Sequence, residues 1–184
     1  MINHSTENQS KSPVSPKILV CAAFVLAFAV SFSISNARAD GAPGAVADVS
    51  LTPAGDFKAK MDDIKGEAIK KGDTFTADKI VINLKTLKTG LPLRDKHGKE
   101  KYLEVDKFPE AVFSNAVGKD GKGTGKLKLH GIEKDVAGTY KTDDKFLYAE
   151  FPIKLSDFGI SGIKYMGVGV DDAVNVHVTI ALKK

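Results

Sequence analysis

The fold class this sequence predicts is an all-β domain of antiparallel strands, each with one apolar and one polar face. Three stretches carry that reading. In Ile80-Val-Ile-Asn-Leu-Lys85, residues Ile80, Ile82 and Leu84 share one face, and Asn83 and Lys85 share the other. Lys126-Leu-Lys-Leu-His130 alternates throughout, with Leu127 and Leu129 facing one way and Lys126, Lys128 and His130 the other. Val174 to Leu182 repeats the pattern, with Val174, Val176, Val178, Ile180 and Leu182 turned inward. A period of two is the mark of strands that bury one face and solvate the other.

The chain begins with a segment that does not read as part of this domain. Lys11 and Lys17 precede an uncharged apolar run, Ile18–Ile34, and Ala37-Arg38-Ala39 has the small-residue form of an export cleavage site. Residues 1–39 are therefore expected to be a signal that is removed, leaving Asp40 first and placing the mature protein in the periplasm. An uncleaved anchor is the competing reading, because the run approaches the lower length limit of a spanning helix. Dilution of its second half by Ser and Ala favours removal. Cys21 sits near the start of the run, whereas a lipid-bearing cysteine would close it. It reads as an apolar filler, and the mature chain then has no cysteine and no disulfide.

About 145 residues remain, enough for one domain with a single core. Losing Lys11, Lys17 and Arg38 together with Glu7 lowers the net charge from +4 to +2. The lysines are interspersed with acids. A nearly neutral, mixed surface of this kind argues against a nucleic-acid partner.

Residues 40–45 read as a flexible spacer, and the domain is expected over 46–184. Val46–Leu51 is the first strand, stopped by Thr52-Pro53-Ala54-Gly55. Asp56–Met61, Ile64–Lys70 and Asp73–Lys79 follow as short strands joined by Asp-Asp and Lys-Lys-Gly-Asp turns. Leu91 to Asp106 breaks the alternation and reads as a loop with one or two helical turns near Lys99–Val105. Phe108-Pro109 ends it, since a residue before proline is pushed out of helical geometry. Ala111–Val117 is a further strand and Gly118-Lys-Asp-Gly121 its turn. Val136–Lys141 and Phe146–Leu155 pair as a hairpin around Thr142-Asp-Asp-Lys145. Pro152 has no ladder donor, so the second of these strands bends or lies at an edge there. Eight to ten short strands fit either a sandwich or an up-and-down barrel, and the pattern does not choose between them.

Two motifs stand out. Thr89-Gly-Leu-Pro-Leu-Arg-Asp-Lys-His-Gly98 gathers Arg94, Asp95 and His97 and leads through Phe108-Pro109 to Phe113. Gly123-Thr-Gly-Lys-Leu-Lys-Leu-His-Gly-Ile-Glu-Lys134 follows. Their content and order, with the closing strand after Tyr165-Met-Gly-Val, resemble the YceI-like family of secreted lipid-binding β-barrels, from roughly Val46 to Lys183. The resemblance implies a lipocalin-like antiparallel up-and-down barrel of about eight strands. It also implies an apolar interior that holds a polyisoprenoid or another long-chain amphiphile, with no cofactor. The sequence departs from the family where an apolar residue usually follows Arg-Asp-x-His, since Gly98 stands there, and it has no tryptophan.

With that resemblance, the inward residues are the candidate cavity lining: Ile80, Ile82, Leu84, Phe113, Leu127, Leu129, Phe151, Ile153, Leu155, Met166, Val174, Val176, Val178 and Ile180. A plain packed core is the alternative for the same residues. The segment with Gly159, Gly162, Met166, Gly167 and Gly169 offers small and adaptable groups near the mouth. Arg94, Asp95 and His97 are expected to anchor the loop or to line the mouth. A catalytic role for them on an isoprenoid or quinone head group is a second reading, although no Ser-His-Asp arrangement with recognisable context accompanies them. A third reading is a structural or interaction module whose outward Lys126, Lys128, Lys154 and Lys164 make transient contact with an anionic membrane surface or meet an acidic partner. His97, His130 and His177 lack metal-ligand spacing, and Asp143-Asp144 and Asp171-Asp172 read as turns.

Overall fold

Short turns with left-handed backbone set the meander. Asp120-Gly121 (φ 52° and 77°) and His130-Gly131 (φ 50° and 80°) are both two-residue hairpin loops with positive φ at each position. That geometry matches the natural twist of the flanking strands. The computed structural model describes residues 42–51, 55–165 and 167–184. The expected signal segment, the turn residues 52–54 and Met166 lie outside the described residues.

The strands run β1 (Gly44–Leu51), β2 (Gly55–Met61), β3 (Ile64–Lys65), β4 (Glu67–Lys71) and β5 (Thr74–Asn83). After one turn of 3-10 helix (Leu84–Thr86) comes helix α1 (Pro92–His97), which continues as a π-helical turn, Gly98–Tyr102. Then follow β6 (Glu110–Lys119), β7 (Lys122–Leu129), β8 (Ile132–Thr142), β9 (Phe146–Lys154), a 3-10 turn (Leu155–Phe158), β10 (Lys164–Tyr165), β11 (Val168–Gly169) and β12 (Ala173–Lys183).

Pairing closes the sheet. The circuit β12-β4-β5-β6-β7-β8-β9 returns to β12, giving a seven-stranded barrel, with β1 and β2 added beside β12 and β3 paired to β5. One side of β12 carries β9; the other carries β1 opposite residues 175–179 and then β4 opposite 181–183. The barrel is therefore antiparallel except at one seam, the short parallel pairing of β4 with β12. Closure leaves fewer free edges to pair with other chains.

Several expected boundaries move, each for a local reason. The first strand starts at Gly44, so Gly44 and Ala45 are strand and not spacer; Ala45 is paired on both sides, to Val178 and Met61. The helix starts at Pro92, upstream of Lys99, because proline's fixed φ suits the first helical position. Asp73–Lys79 and Ile80–Lys85 are not two strands: β5 runs unbroken from Thr74 to Asn83, and Leu84 and Lys85 belong to the 3-10 turn. Asp78 and Lys79 are both exposed, and the inward set changes from Phe75 and Ala77 to Ile80 and Ile82. The pairing register of β3–β4 on β5 slips by one residue across this point. β6 makes the matching change at Asn115, which has φ 52° and lies in a bulge of β6 against β7. Such bulges bend a strand and re-aim its side chains.

Pro152 sits where its missing donor costs least. β9 pairs with β12 along its whole length, but its pairing to β8 ends at Thr139↔Glu150. Beyond that point β8 and β9 separate, and Pro152 lies on the unpaired side. The 3-10 turn after β9 buries Phe158, only 1% exposed, and Ile160 just beyond the turn is 3% exposed.

Candidate functional site

The barrel is hollow. Its interior holds a cavity of about 260 Å³ whose wall is almost entirely hydrocarbon. Thirteen of the fourteen residues named from the sequence line it, from Ile80 on β5 to Ile180 on β12; the fourteenth is Met166. The hollow has a cause in side-chain volume. β1, β2 and β4 present Ala45, Ala47, Ala59 and Ala68 to it, while β6 and β9 carry Phe113, Phe151 and Ile153. Small residues on these strands leave space that the large side chains elsewhere on the wall do not fill.

A second set of small residues shapes the other walls. Gly118, Gly123, Gly125 and Gly138 occupy inward positions of β6, β7 and β8; aromatic rings lie on the first three, and at Gly138 the Glu150 backbone and the Phe151 Cβ take the space. A Cβ on Gly125 would stand 2.6 Å from the Phe113 ring, and one on Gly118 2.6 Å from the Tyr140 ring. Phe113 stacks on Phe151, with centroids 5.5 Å apart and planes 16° from parallel. Gly118 is thus a buried strand residue beneath Tyr140, not the first residue of a turn. The glycines expected to shape the cavity, Gly159, Gly162, Gly167 and Gly169, do not line it; their segment contributes Ile160, Ile163, Lys164 and Val170 instead.

The motif with Arg94, Asp95 and His97 lies over the end of the barrel opposite the hairpin loops Gly72-Asp73 and Asp120-Gly121. Arg94 donates from Nε to Thr89 Oγ1 (2.9 Å) and from Nη2 to the Thr89 carbonyl (2.6 Å). Its guanidinium lies 3.8 Å from the centroid of the Phe57 ring. Asp95 Oδ1 accepts from the Thr89 backbone N–H (2.7 Å) and hydroxyl. Neighbours of opposite charge, Arg94 and Asp95 thus converge on Thr89 and fix the chain entering α1. Arg94 and His97 reach the cavity, while Asp95 turns back and does not line it. Tyr102, on the π-helical turn, grips β10 through its hydroxyl, bonded to the carbonyl (3.0 Å) and N–H (3.1 Å) of Lys164.

His130 belongs to a turn and not to a strand face. Its left-handed backbone folds the imidazole back, with Nδ1 3.2 Å from the Phe158 carbonyl and Nε2 3.1 Å from Glu104. The Phe108 ring packs edge-on against it, with centroids 4.5 Å apart. This contact pins the 3-10 turn after β9 to the segment following the helix. Hydrogen bonds from Lys107 and His130 hold the Glu104 carboxyl below its ordinary range.

A second polar cluster lies on the outer face. His177 on β12 stands between Asp48 of β1 (Nε2 to Oδ2, 2.9 Å) and Glu150 of β9 (Nδ1 to Oε2, 3.8 Å). Lys58 of β2 bonds Asp48 at 2.9 Å, and Asn175 donates to Glu150. The cluster ties four strands together across the barrel's outer surface. Partial burial by itself would raise the Asp48 carboxyl, but hydrogen bonds from Lys58 and His177 outweigh it and hold the pKa below 3.8. A depressed carboxyl stabilises the fold above its unfolded value, and that contribution disappears as pH falls through the folded value. The melting temperature of the protein should therefore drop as pH falls below the ordinary carboxylate range, and Asp48→Asn should flatten part of that slope. At neutral pH the same variant should melt about 2–4 °C lower, from the loss of roughly 1 kcal/mol. An unchanged acid slope in thermal melts of Asp48→Asn would count against this role. Among the described residues, no group of three His, Cys, Asp or Glu side chains is placed to hold a metal ion.

Two groups of residues escaped the sequence reading. The alanine wall had a signal in Phe57-Lys-Ala59-Lys-Met61, which alternates with period two. The glycine seats had none, because an inward glycine in a strand reads like a turn residue until its neighbours are known.

A family model described as the YceI-like domain matches residues 29–182. Three solved structures share the fold at low sequence identity. BcnA of Burkholderia cenocepacia superposes with a TM-score of 0.61 at 16% identity, over 76% of this chain and 96% of that one. A domain from Saccharophagus degradans, described as polyisoprenoid-binding and implicated in plant cell wall breakdown, gives 0.54 at 15%, over 74% and 90%. The YceI protein of Campylobacter jejuni gives 0.50 at 20%, over 68% and 85%. A search of curated proteins finds no match.

Proposed function

The chain belongs to the YceI-like domain family, and from that premise we propose that it is an exported, periplasmic binding or carrier protein without catalysis of its own. Its ligand is a polyisoprenoid or other long-chain amphiphile held inside the barrel. One observation carries this reading: alternating side chains from strands all round the barrel converge on an apolar cavity instead of filling it. Each methylene moved from water into such a space contributes about 0.8 kcal/mol, so ten contribute on the order of 8 kcal/mol before ordering costs. That gross figure corresponds to binding near the micromolar range.

The polar groups at the helical end support binding over chemistry. Arg94 and Asp95 spend hydrogen bonds on Thr89, which suits a rigid rim. The export reading rests on the basic, apolar and small-residue sequence of residues 1–39. Native mass spectrometry of protein purified from the periplasm without detergent tests the proposal. A mass excess that organic extraction removes and identifies as a long-chain lipid is the expected result. Protein that stays ligand-free and takes up no added isoprenoid or fatty acid would refute it.

A further inference from the structure

The cavity has a floor made of two rings. Phe75 on β5 and Tyr140 on β8 meet edge to face, with centroids 5.2 Å apart and planes at 63°. Both line the apolar cavity, and both also line a separate outer depression at the hairpin end of the barrel. The far side of that depression is polar, with Lys70, Asp73, Asp120 and Lys141 around it. Two half-buried rings are thus the partition between a hydrocarbon interior and a charged exterior.

The sequence builds a seat for this partition. Gly118 and Gly123 are cross-strand partners, and Phe75 is the partner of Gly118 on its other side. The Tyr140 ring lies over both glycines: a Cβ on Gly118 would stand 2.6 Å from it and one on Gly123 3.7 Å. The Tyr140 backbone N–H donates to the Gly121 carbonyl at 2.9 Å, which ties the ring's strand to the neighbouring hairpin. On the outer side, the Lys70 ammonium sits 5.9 Å from the Phe75 ring centroid. A cation over one face of an aromatic ring favours keeping that ring in place.

The geometry points to the Phe75–Tyr140 pair as the stop that sets the longest chain the cavity accepts. This inference rests on the binding function proposed above and adds its specificity determinant. A chain entering from the helical end gains burial with each methylene until it meets the rings. Beyond them lies a charged depression, so further methylenes return to water and add nothing.

The experiment measures binding of saturated fatty acids of increasing length, from ten to about twenty-four carbons, by displacement of a fluorescent fatty-acid probe. In the wild type, affinity should rise with length and then level off. In Tyr140→Ala the rise should continue past that point, by up to about fourfold for each added methylene that finds full burial. Phe75→Leu keeps an apolar side chain and protects against loss of folding, and it should move the plateau in the same direction by less. Thermal melts confirm that each variant is folded. A plateau at the wild-type length in both folded variants would overturn the stop, as would a wild-type affinity that rises through the whole series. Failure of the wild type to bind any member would overturn the stop together with the binding function itself.

Discussion

Gly66→Ala is expected to destabilise the barrel by about 3 kcal/mol, lowering its melting temperature by on the order of 10 °C. Gly66 separates β3 from β4, beside the place where β5 bulges and shifts its inward set. Its φ is 116°, outside the range that L residues with a side chain adopt readily. A Cβ there would also stand 2.4 Å from the Lys79 carbonyl oxygen and 2.7 Å from Ile80 Cδ1. The first of these neighbours is backbone and cannot rotate away, and Ile80 is only 1% exposed. Strain and overpacking therefore add at one site. Differential scanning calorimetry of both proteins gives the comparison, and a shift under about 2 °C would mean that the bulge relaxes freely.

Val176→Asp should abolish ligand uptake. Val176 lies near the middle of β12, opposite Ala47 of β1 and Phe151 of β9, and it lines the cavity. A carboxylate at that position faces hydrocarbon, so it must either stay hydrated, drawing water into the cavity, or take up a proton. Either outcome removes the dry surface on which the proposed ligand depends. Affinity for a fluorescent fatty acid should fall by about 100-fold or more, equivalent to roughly 3 kcal/mol. Stability should fall by a similar amount, because an unpaired charge in an apolar interior is costly. Val176→Ala serves as the control, since it enlarges the cavity and should still bind. Uptake by Val176→Asp at the wild-type level would place the ligand somewhere other than the barrel interior.

Much of the cavity was legible because strand alternation is a local property. Residues such as Leu127, Leu129 and Val178 declare their face through neighbours one and two positions away. Their convergence follows once the strands are paired. The rim was half legible: Arg94 and Asp95 announce an anchored loop, but only the fold shows that both reach for Thr89. His130 was misread because alternation continued by chance into a turn, where a left-handed backbone reverses the direction of the imidazole. The inward Ala68 and the glycine seats were missed because small side chains carry little hydrophobic signal, although they decide where space is left.

The sequence by itself determined that this chain is built of strands and which side of most strands is dry. It also determined, through its resemblance to a family, that a barrel was to be expected. Tertiary structure decided that the sheet closes, through a parallel seam between β4 and β12 whose residues are more than a hundred positions apart. It decided the bulges at Asp78-Lys79 and Asn115, which exchange the inward and outward sets partway along two strands. It also decided that His177 meets Asp48 on the barrel's outer wall, 129 residues earlier in the chain. The physical reason is the same in each case. Alternation is fixed by bond geometry within a few residues, whereas closure, bulges and hollow space depend on the register and volume of partners that no local window contains.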